Sequence, residues 1–312
     1  MSHLVPQETL ATLAHLSDEL ARLADAANPL VVTVHGRRRW PSTGIVWRDG
    51  LIVTAAHTLR RQAELVVTLA NGQEIQATVL GIDPATDLAV LKAPDAAAVS
   101  YETADPAAIG VGSLGLVVSR RAGGATAATL AMVRIAGGAW RTRGGATLQR
   151  FVVLAMAPYF GLSGSPYLTA TGAVAGILTM GLGRVGPVLV PGPDVTRVVD
   201  EIAAKGRVAI PYLGIAMQSV RLPDKIVGRL ALDRPDGILV TGTQADGPAD
   251  AAGWIVGDVL VELAGESVGD LEDLRAAVSA ERIGQSVPAR VVRGGELQTL
   301  PIRVGERPRL RC

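Results

Sequence analysis

Residues 51–57 have the sequence LIVTAAH, an apolar run that ends in two alanines and a histidine. An uninterrupted run of this length predicts a buried β-strand with His57 at its end. A histidine in that position is, taken alone, most simply a surface side chain. Two other segments change this interpretation: Asp87 lies in GIDPATDLAVLK (residues 81–92), and Ser163 lies in GLSGSP (residues 161–166).

These three side chains are the types that a serine nucleophile requires. A serine hydroxyl reacts poorly at neutral pH unless a neighbouring base takes its proton. A histidine can take and return that proton, and a carboxylate holds the imidazole in the correct tautomer. The chain order His57, Asp87, Ser163 therefore predicts a Ser-His-Asp catalytic triad. Asp83, followed by Pro84, is interpreted as a turn residue that positions Asp87.

Three segments, residues 42–59, 72–92 and 161–180, resemble sequence blocks of the HtrA family of trypsin-fold proteases. Where the family has TNxH, this chain has TAAH ending at His57, and where the family has GNSGGP, it has GLSGSP around Ser163. The resemblance implies a mainly β fold, a chymotrypsin-like double β-barrel. It also implies that the backbone N–H groups of Gly161 and Ser163 form an oxyanion hole, and that the chain is a serine endopeptidase acting on unfolded or damaged polypeptides.

The serine loop departs from the family pattern at three positions. Leu162 replaces an Asn, Ser165 replaces a Gly, and Phe160 replaces a Pro. Leu162 excludes activation by pairing with a newly cut N-terminus, because digestive trypsin-like enzymes use an Asp there. The departures also motivate an alternative function, a catalytically silent protease-fold scaffold that binds peptides.

Alignment with the family places the floor of the primary specificity pocket at Ala157, with Ile177, Leu178 and Thr179 on the facing strand. No Asp or Glu occurs between Asp105 and Asp194, so nothing in this stretch can select Lys or Arg. We therefore expect cleavage after small to medium aliphatic residues.

Three domains are predicted along the chain: an N-terminal helical segment (1–28), a trypsin-like protease domain of two β-barrels (29–207) and a small α+β domain (208–308). Leucines at three- and four-residue steps predict a helix over residues 8–27. Many short strands separated by turn signals follow, as barrels require. The linker is placed at Lys205–Pro211.

In the last of these, residues 211–215 resemble the carboxylate-binding loop of PDZ domains, and this resemblance implies that residues 208–308 form a PDZ domain. Tyr212, Leu213, Gly214 and Ile215 would supply a sheet edge for C-terminal peptides, and Leu274 and Val278 would line the side-chain pocket. Leu213 and Ile215 could equally be core residues, and that alternative stays open.

Composition excludes several classes of function. Aromatic residues make up only 3% of the chain, too few for a nucleic-acid stacking surface, and the net charge is +1. The four histidines form no metal-ligand pair, and no phosphate-binding loop motif occurs, so no cofactor or metal is expected. The two GxGxxG matches, at 110–115 and 181–186, are interpreted as turn glycines.

The single cysteine, Cys312, allows no internal disulfide. No signal peptide or membrane-spanning run is visible, so a cytoplasmic location is expected, or a periplasmic or secreted one if an export signal had been removed. HtrA proteases commonly form trimers through N-terminal aromatic residues, which helix 8–27 lacks; a homo-oligomer formed through the helix itself stays open.

Seven arginines occupy the stretch between Asp105 and Asp194, which has no acidic residue. The simplest interpretation is a solvated basic face, and the alternative is a surface for acidic partners.

Overall fold

The computed structural model describes residues 7–36, 40–59, 64–183, 186–278 and 282–307. The chain divides into two compact units. The first comprises residues 1–142 and 147–208, and the second comprises residues 143–146 and 209–312. His3, Arg184 and Cys312, considered in the sequence analysis, lie outside the described residues.

The first unit begins with helix α1 (Gln7–Ala27), close to its predicted bounds, and continues into a closed six-stranded barrel. The strands follow one another around the barrel in the order β1-β2-β3-β6-β5-β4. Their bounds are β1 (Val31–Val34), β2 (Ser42–Arg48), β3 (Leu51–Ala55), β4 (Glu64–Thr68), β5 (Glu74–Asp83) and β6 (Leu88–Lys92).

A second closed barrel of six strands follows, in the order β11-β14-β13-β12-β7-β8, with the two-stranded ribbon β9-β10 outside it. The expected chymotrypsin-like double barrel is thus confirmed. The bounds are β7 (Leu114–Arg120), β8 (Thr126–Ala136), β9 (Trp140–Arg141), β10 (Thr147–Leu148), β11 (Val152–Ala155), β12 (Pro166–Thr169), β13 (Val174–Thr179) and β14 (Val188–Pro191).

Helix α2 (Gly192–Lys205) closes the first unit and ends at Gly206, which adopts the left-handed conformation that a helix C-terminus favours. Its apolar face joins a core cluster with residues of both barrels, among them Val53, Leu88 and Ile177. Helix α1 is only partly anchored, because Leu20 and Leu23 pack against this core whereas Leu13 and Leu16 are exposed. None of the helices in the described part of the chain is both long and apolar enough to cross a bilayer.

Arg120, at the end of β7, is buried although the sequence analysis counted it in a solvated basic face. Its guanidinium donates hydrogen bonds to three backbone oxygens, those of Asn28, Val31 and Gly124, at 2.7–2.8 Å, and to the side-chain oxygen of Asn28. Burial lowers the pKa of Arg120. Arg120 is therefore a structural clamp between β7 and the segment that follows α1.

The second unit is built on an antiparallel sheet in the order β16-β17-β18-β20-β21, with β19 paired to β18 and β15 paired to β22. Its elements are β15 (Pro211–Tyr212), β16 (Ile215–Arg221), α3 (Asp224–Leu230), β17 (Asp236–Thr243), α4 (Pro248–Ala251), β18 (Val259–Leu263), β19 (Glu266–Ser267), α5 (Leu271–Ala277), β20 (Ser286–Arg293), β21 (Glu296–Arg303) and β22 (Gly305–Glu306).

An ion pair between the buried Asp258 and the partly exposed Arg293 stabilises the start of β18. Arg293 donates from Nε and Nη2 to the two carboxylate oxygens, each at 2.7 Å, and the N–H of Ile255 adds a third hydrogen bond at 2.9 Å. Burial opposes the ionisation of Asp258, but these hydrogen bonds outweigh it and hold its pKa below the ordinary range.

Candidate active site

His57 lies in a single 3₁₀ turn (Ala56–Thr58) at the end of β3, as the LIVTAAH stretch predicts. Its Nδ1 lies 2.6 Å from Oδ2 of Asp87, and its backbone N–H donates to Oδ1 of Asp87 at 2.9 Å. The Asp87 side chain is 9% exposed and the His57 side chain 36% exposed. A buried carboxylate thus holds an imidazole that stays accessible from outside.

The Asp83–Asp87 turn explains the position of the carboxylate. Oδ1 of Asp83 accepts from the N–H of Ala85, and Oδ2 accepts from the hydroxyl of Thr86 at 2.6 Å, as the interpretation of Asp83 as a turn residue predicts. Burial raises the pKa of Asp83. Asp87 itself has a φ of 57°, and its carbonyl accepts from the N–H of Ala56, which ties the turn to β3.

Thr179 is a residue whose role the sequence analysis missed. Its hydroxyl donates to Oδ2 of Asp87, and it accepts in turn from the N–H of Gly181 at 2.9 Å. Gly181 packs so closely that a Cβ there would lie 2.2 Å from Oδ2 of Asp87 and 2.8 Å from Nδ1 of His57. The end of β13 therefore covers the contact between His57 and Asp87.

Ser163 stands in a turn of the second barrel before β12, and its Oγ accepts a hydrogen bond from the N–H of Met180 at 3.3 Å. The next residue, Gly164, has a φ of 91°, and a Cβ on it would lie 1.9 Å from the carbonyl oxygen of Thr43 on β2. Only glycine fits this position. Gly164 thus lets the serine turn approach the first barrel, where His57 lies.

The geometry of Gly161 is compatible with an oxyanion hole. Gly161 has a φ of 91°, and its carbonyl oxygen is held by the N–H of Thr43 at 3.2 Å and by the Thr43 hydroxyl at 2.8 Å. Within the described ranges, the N–H groups of Gly161 and Ser163 donate to no protein acceptor. Neither N–H is therefore committed to another protein group, as a donor to a developing negative charge would require.

A cavity of about 660 Å³ contains both His57 and Ser163. Its lining is mostly apolar and aromatic, and it includes no Asp or Glu. The lining residues are Trp40, Pro41, Ser42, His57, Thr58, Arg121, Pro158, Tyr159, Phe160, Gly161, Leu162, Ser163 and Met180.

The predicted specificity residues do not line this cavity. Ile177 and Leu178 are fully buried in two different core clusters, and Thr179 contacts Asp87. Every residue of β13 is buried, because the barrel interior covers one face and other parts of the first unit cover the other, so the strand offers no free side chain. Ala157 is exposed and adjoins the lining residue Pro158.

The residues predicted for the peptide groove are mainly core residues. Leu213, Leu274 and Val278 are buried in the core of the second unit, and Ile215 packs against it. Tyr212 lies on β15 and pairs with β22, so Ile215 alone of the four loop residues belongs to the edge strand β16. Gly214 has a φ of 76° in the turn between them.

No group of three or more His, Cys, Asp or Glu side chains that could hold a metal ion occurs among the residues with described positions.

Comparison with known protein families gives two matches. A trypsin-like peptidase domain matches residues 42–177, and a PDZ domain matches residues 211–304. The first match contains the His57, Asp87 and Ser163 positions, and the second covers most of the second unit.

Similar curated proteins are named probable periplasmic serine endoprotease DegP-like. The one from Pseudomonas putida (strain W619) is 28% identical over 269 residues, covering 85% of this chain and 55% of the relative. The one from Rhizobium meliloti (strain 1021) is 31% identical over 269 residues, covering 84% and 52%. The chain thus spans about half the length of these relatives.

Solved structures agree in fold. The HtrA-type protease AlgW with tripeptide is 25% identical, with a TM-score of 0.66 over 93% of this chain and 98% of that one. The serine endoprotease from Yersinia pestis is 23% identical, with a TM-score of 0.69 over 93% and 98%.

Proposed function

This chain has the domain composition of the HtrA-type serine proteases, a trypsin-like peptidase domain followed by a PDZ domain, and on that premise we propose that it is a serine endopeptidase acting on unfolded polypeptides. The observation that carries the proposal is the 2.6 Å contact between His57 and the buried Asp87, beside a cavity whose lining includes both His57 and Ser163.

The proposed mechanism follows from these contacts. Asp87 accepts a hydrogen bond from the Nδ1–H of His57, which leaves Nε2 unprotonated as the base that removes the hydroxyl proton of Ser163. The Ser163 oxygen attacks the scissile carbonyl, and the N–H groups of Gly161 and Ser163 bind the oxyanion. His57 then passes the proton to the leaving amine, and the acyl-enzyme remains. Water attacks this acyl-enzyme while His57 takes its proton, and His57 returns that proton to the oxygen of Ser163.

Primary specificity is proposed to be apolar. The candidate lining of the primary specificity pocket, in place of the β13 side chains, is Pro158, Tyr159 and Met180. The residues that line the cavity include no acidic side chain that would select Lys or Arg. Peptides with Ala, Val or Leu before the scissile bond should therefore be cleaved in preference to those with Lys.

The second unit is proposed to bind C-terminal peptides along β16, which is an edge strand of its sheet. An added peptide strand would hydrogen-bond to this edge, and the turn at Gly214 would receive the terminal carboxylate. Because the relatives are named periplasmic, a periplasmic location is proposed in place of the cytoplasmic one first expected.

Self-association is proposed to use helix α1. Leu13 and Leu16 are 56% and 50% exposed, next to Leu20 and Leu23, which pack on the core. If α1 mediates a trimer, Leu13→Glu with Leu16→Glu should convert it to monomer in light-scattering measurements. A monomeric wild-type chain at micromolar concentration would refute this contact.

One observation favours the alternative of a silent, peptide-binding scaffold. The N–H of Met180 donates a hydrogen bond to Ser163 Oγ, so a lone pair of the nucleophilic oxygen is already used within the protein. Intact mass after incubation with a fluorophosphonate, with and without an unfolded protein, separates the two functions. We expect one adduct on the wild type and none on Ser163→Ala. No adduct on a folded wild type under either condition would reject the peptidase and favour the scaffold.

A further inference from the structure

The cavity beside Ser163 has an aromatic wall that the triad chemistry does not use. Trp40 and Phe160 are stacked with ring centroids 4.5 Å apart and planes inclined by 16°. Trp40 is nevertheless 50% exposed and Phe160 69% exposed, and both line the cavity. Neighbouring apolar side chains that stay exposed mark binding surfaces more often than scattered ones do.

The chain connections place this wall next to the reacting groups. Phe160 directly precedes Gly161, whose N–H is an oxyanion donor in the proposed mechanism. Trp40 is two residues from Ser42, whose Oγ accepts a hydrogen bond from the Thr58 hydroxyl at 2.9 Å. Thr58 follows His57 in the same 3₁₀ turn. The aromatic wall is therefore linked to the turn that carries the general base.

This link indicates which part of a substrate meets the wall. His57 must hand its proton to the amine that leaves, so the residue beginning with that amine lies on the His57 side of the cavity. Met180, by contrast, approaches Ser163 from the end of β13 on the second barrel. The wall formed by Trp40 and Phe160 thus belongs to the leaving-group side.

We propose that the stacked pair Trp40–Phe160 is the subsite for the residue immediately after the scissile bond and selects an aromatic or large aliphatic side chain there, a specificity that rests on the proposed peptidase function. The part of the ring faces that stays exposed offers an apolar surface against which a third ring can pack. Burying these faces under the substrate side chain removes apolar area from water, which favours binding.

The charged residues that line the cavity also determine which side chains are disfavoured after the scissile bond. Arg121 lies 5.9 Å from the centroid of the Tyr159 ring, and both line the cavity. Since the lining residues include no Asp or Glu, a Lys or Arg after the scissile bond meets a like charge and no partner. Basic residues are therefore selected against at this position.

The test is digestion of a peptide library in which residues on both sides of each bond vary, with cleavage sites determined by mass spectrometry. We expect wild type to prefer Phe, Tyr, Trp or Leu directly after the cleaved bond. Phe160→Ala and Trp40→Ala should each lower this preference about tenfold, whereas Phe160→Tyr should retain it. Leu130→Ala removes an exposed apolar side chain that is not among the cavity-lining residues, and it serves as the control.

Two results of the digestion would overturn the proposal. One is a cleavage pattern indifferent to the residue after the bond. The other is a loss, in Phe160→Ala, of preference before the bond instead. Cleavage rates are divided by the fraction of Ser163 that a fluorophosphonate labels in each variant, so that a damaged nucleophile is not mistaken for altered specificity.

If wild type shows neither labelling nor cleavage, the proposed peptidase activity is rejected but the subsite is not. A binding measurement then tests the subsite. In ¹⁵N-labelled Ser163→Ala protein, the four tryptophans give four indole N–H signals, and Trp40→Phe identifies that of Trp40. Phenylalaninamide should shift the Trp40 signal selectively, and glycinamide should not. Equal shifts from both compounds, or none from either, would refute an aromatic subsite.

Discussion

Thr179 and Asp87, 92 residues apart in the chain, are joined by a hydrogen bond from the Thr179 hydroxyl to the carboxylate oxygen that also contacts His57. Hydrogen bonds to charged groups contribute about 1.5–3 kcal/mol. Thr179→Val keeps the shape of the side chain and removes the donor, so we expect peptidase activity, measured as kcat/KM, to fall about 10- to 100-fold. Thr179→Ser should restore most of it. Full activity in the valine variant would show that Asp87 needs no such support.

Gly181 should tolerate no side chain. A Cβ at this position would lie 2.2 Å from Asp87 Oδ2, so Gly181→Ala has to displace either the carboxylate or the end of β13. Misplacement of about 1 Å at a catalytic group can cost on the order of 100-fold in rate. We expect a loss of that size in the rate of fluorophosphonate labelling of Ser163.

Gly138→Ala is the matched control for that substitution, because nothing lies within 4 Å of a Cβ added there. It should label at the wild-type rate. Equal labelling of the two alanine variants would mean that the end of β13 adjusts without disturbing the triad.

Replacing Ser165 by alanine should make the protein more stable. Its hydroxyl is fully buried, and no hydrogen-bonding partner for it exists in the described part of the chain. An unsatisfied buried hydroxyl costs about 1–3 kcal/mol, so Ser165→Ala should raise the free energy of unfolding by about 1 kcal/mol and the Tm by about 2–4 °C. Differential scanning calorimetry measures both quantities.

The comparison for Ser165 is Ser119→Ala. Ser119 is also buried, but its hydroxyl contacts the Tyr159 hydroxyl at 2.9 Å. This variant should lose stability while Ser165→Ala gains it. A loss in both variants would indicate that Ser165 has a partner after all, such as an ordered water molecule.

The Asp258–Arg293 pair should make the second unit sensitive to acid. The pKa of Asp258 is lower in the folded than in the unfolded chain, so the unfolded state binds more protons and stability rises with pH. The contribution of the pair is complete above the unfolded pKa of about 3.9. It is lost as the pH falls through the lower folded pKa.

Arg293→Gln removes the partner and leaves a buried carboxylate, which we expect to destabilise the second unit by about 3 kcal/mol at pH 7. The difference from wild type should shrink towards pH 3 and below. Hydrogen exchange of peptides covering β18 and β20, followed by mass spectrometry at both pH values, provides the measurement. An equal difference at both values would assign the effect to packing and not to ionisation.

Most elements of the fold could be predicted from local pattern. The expected short strands separated by turns occur from Val31 to Lys92, because alternation and turn residues such as Asn71–Gly72 are local signals. Closure of the barrels, in contrast, depends on pairings such as that of β1 with β4, which no local pattern contains.

The site was predictable only as far as family motifs extend. His57, Asp87 and Ser163 are carried by such motifs, but the roles of Ile177, Leu178 and Thr179 depend on which way a fully buried strand faces its neighbours. The stack of Trp40 on Phe160 leaves no trace in sequence, since the two residues are far apart in the chain and belong to different barrels. The sequence shows which types of side chain are present in each segment, whereas their positions relative to one another are set only when the chain folds.

The Arg120 clamp has a mechanical consequence. Because the guanidinium holds Asn28 and Val31 at the exit of α1, a tensile force applied to the N-terminus is transferred sideways into β7. Strand β1 begins at Val31, which the same guanidinium holds, so β1 and β7 share that load. Without the guanidinium of Arg120, the same load would fall on β1 alone, the strand that begins the barrel carrying His57.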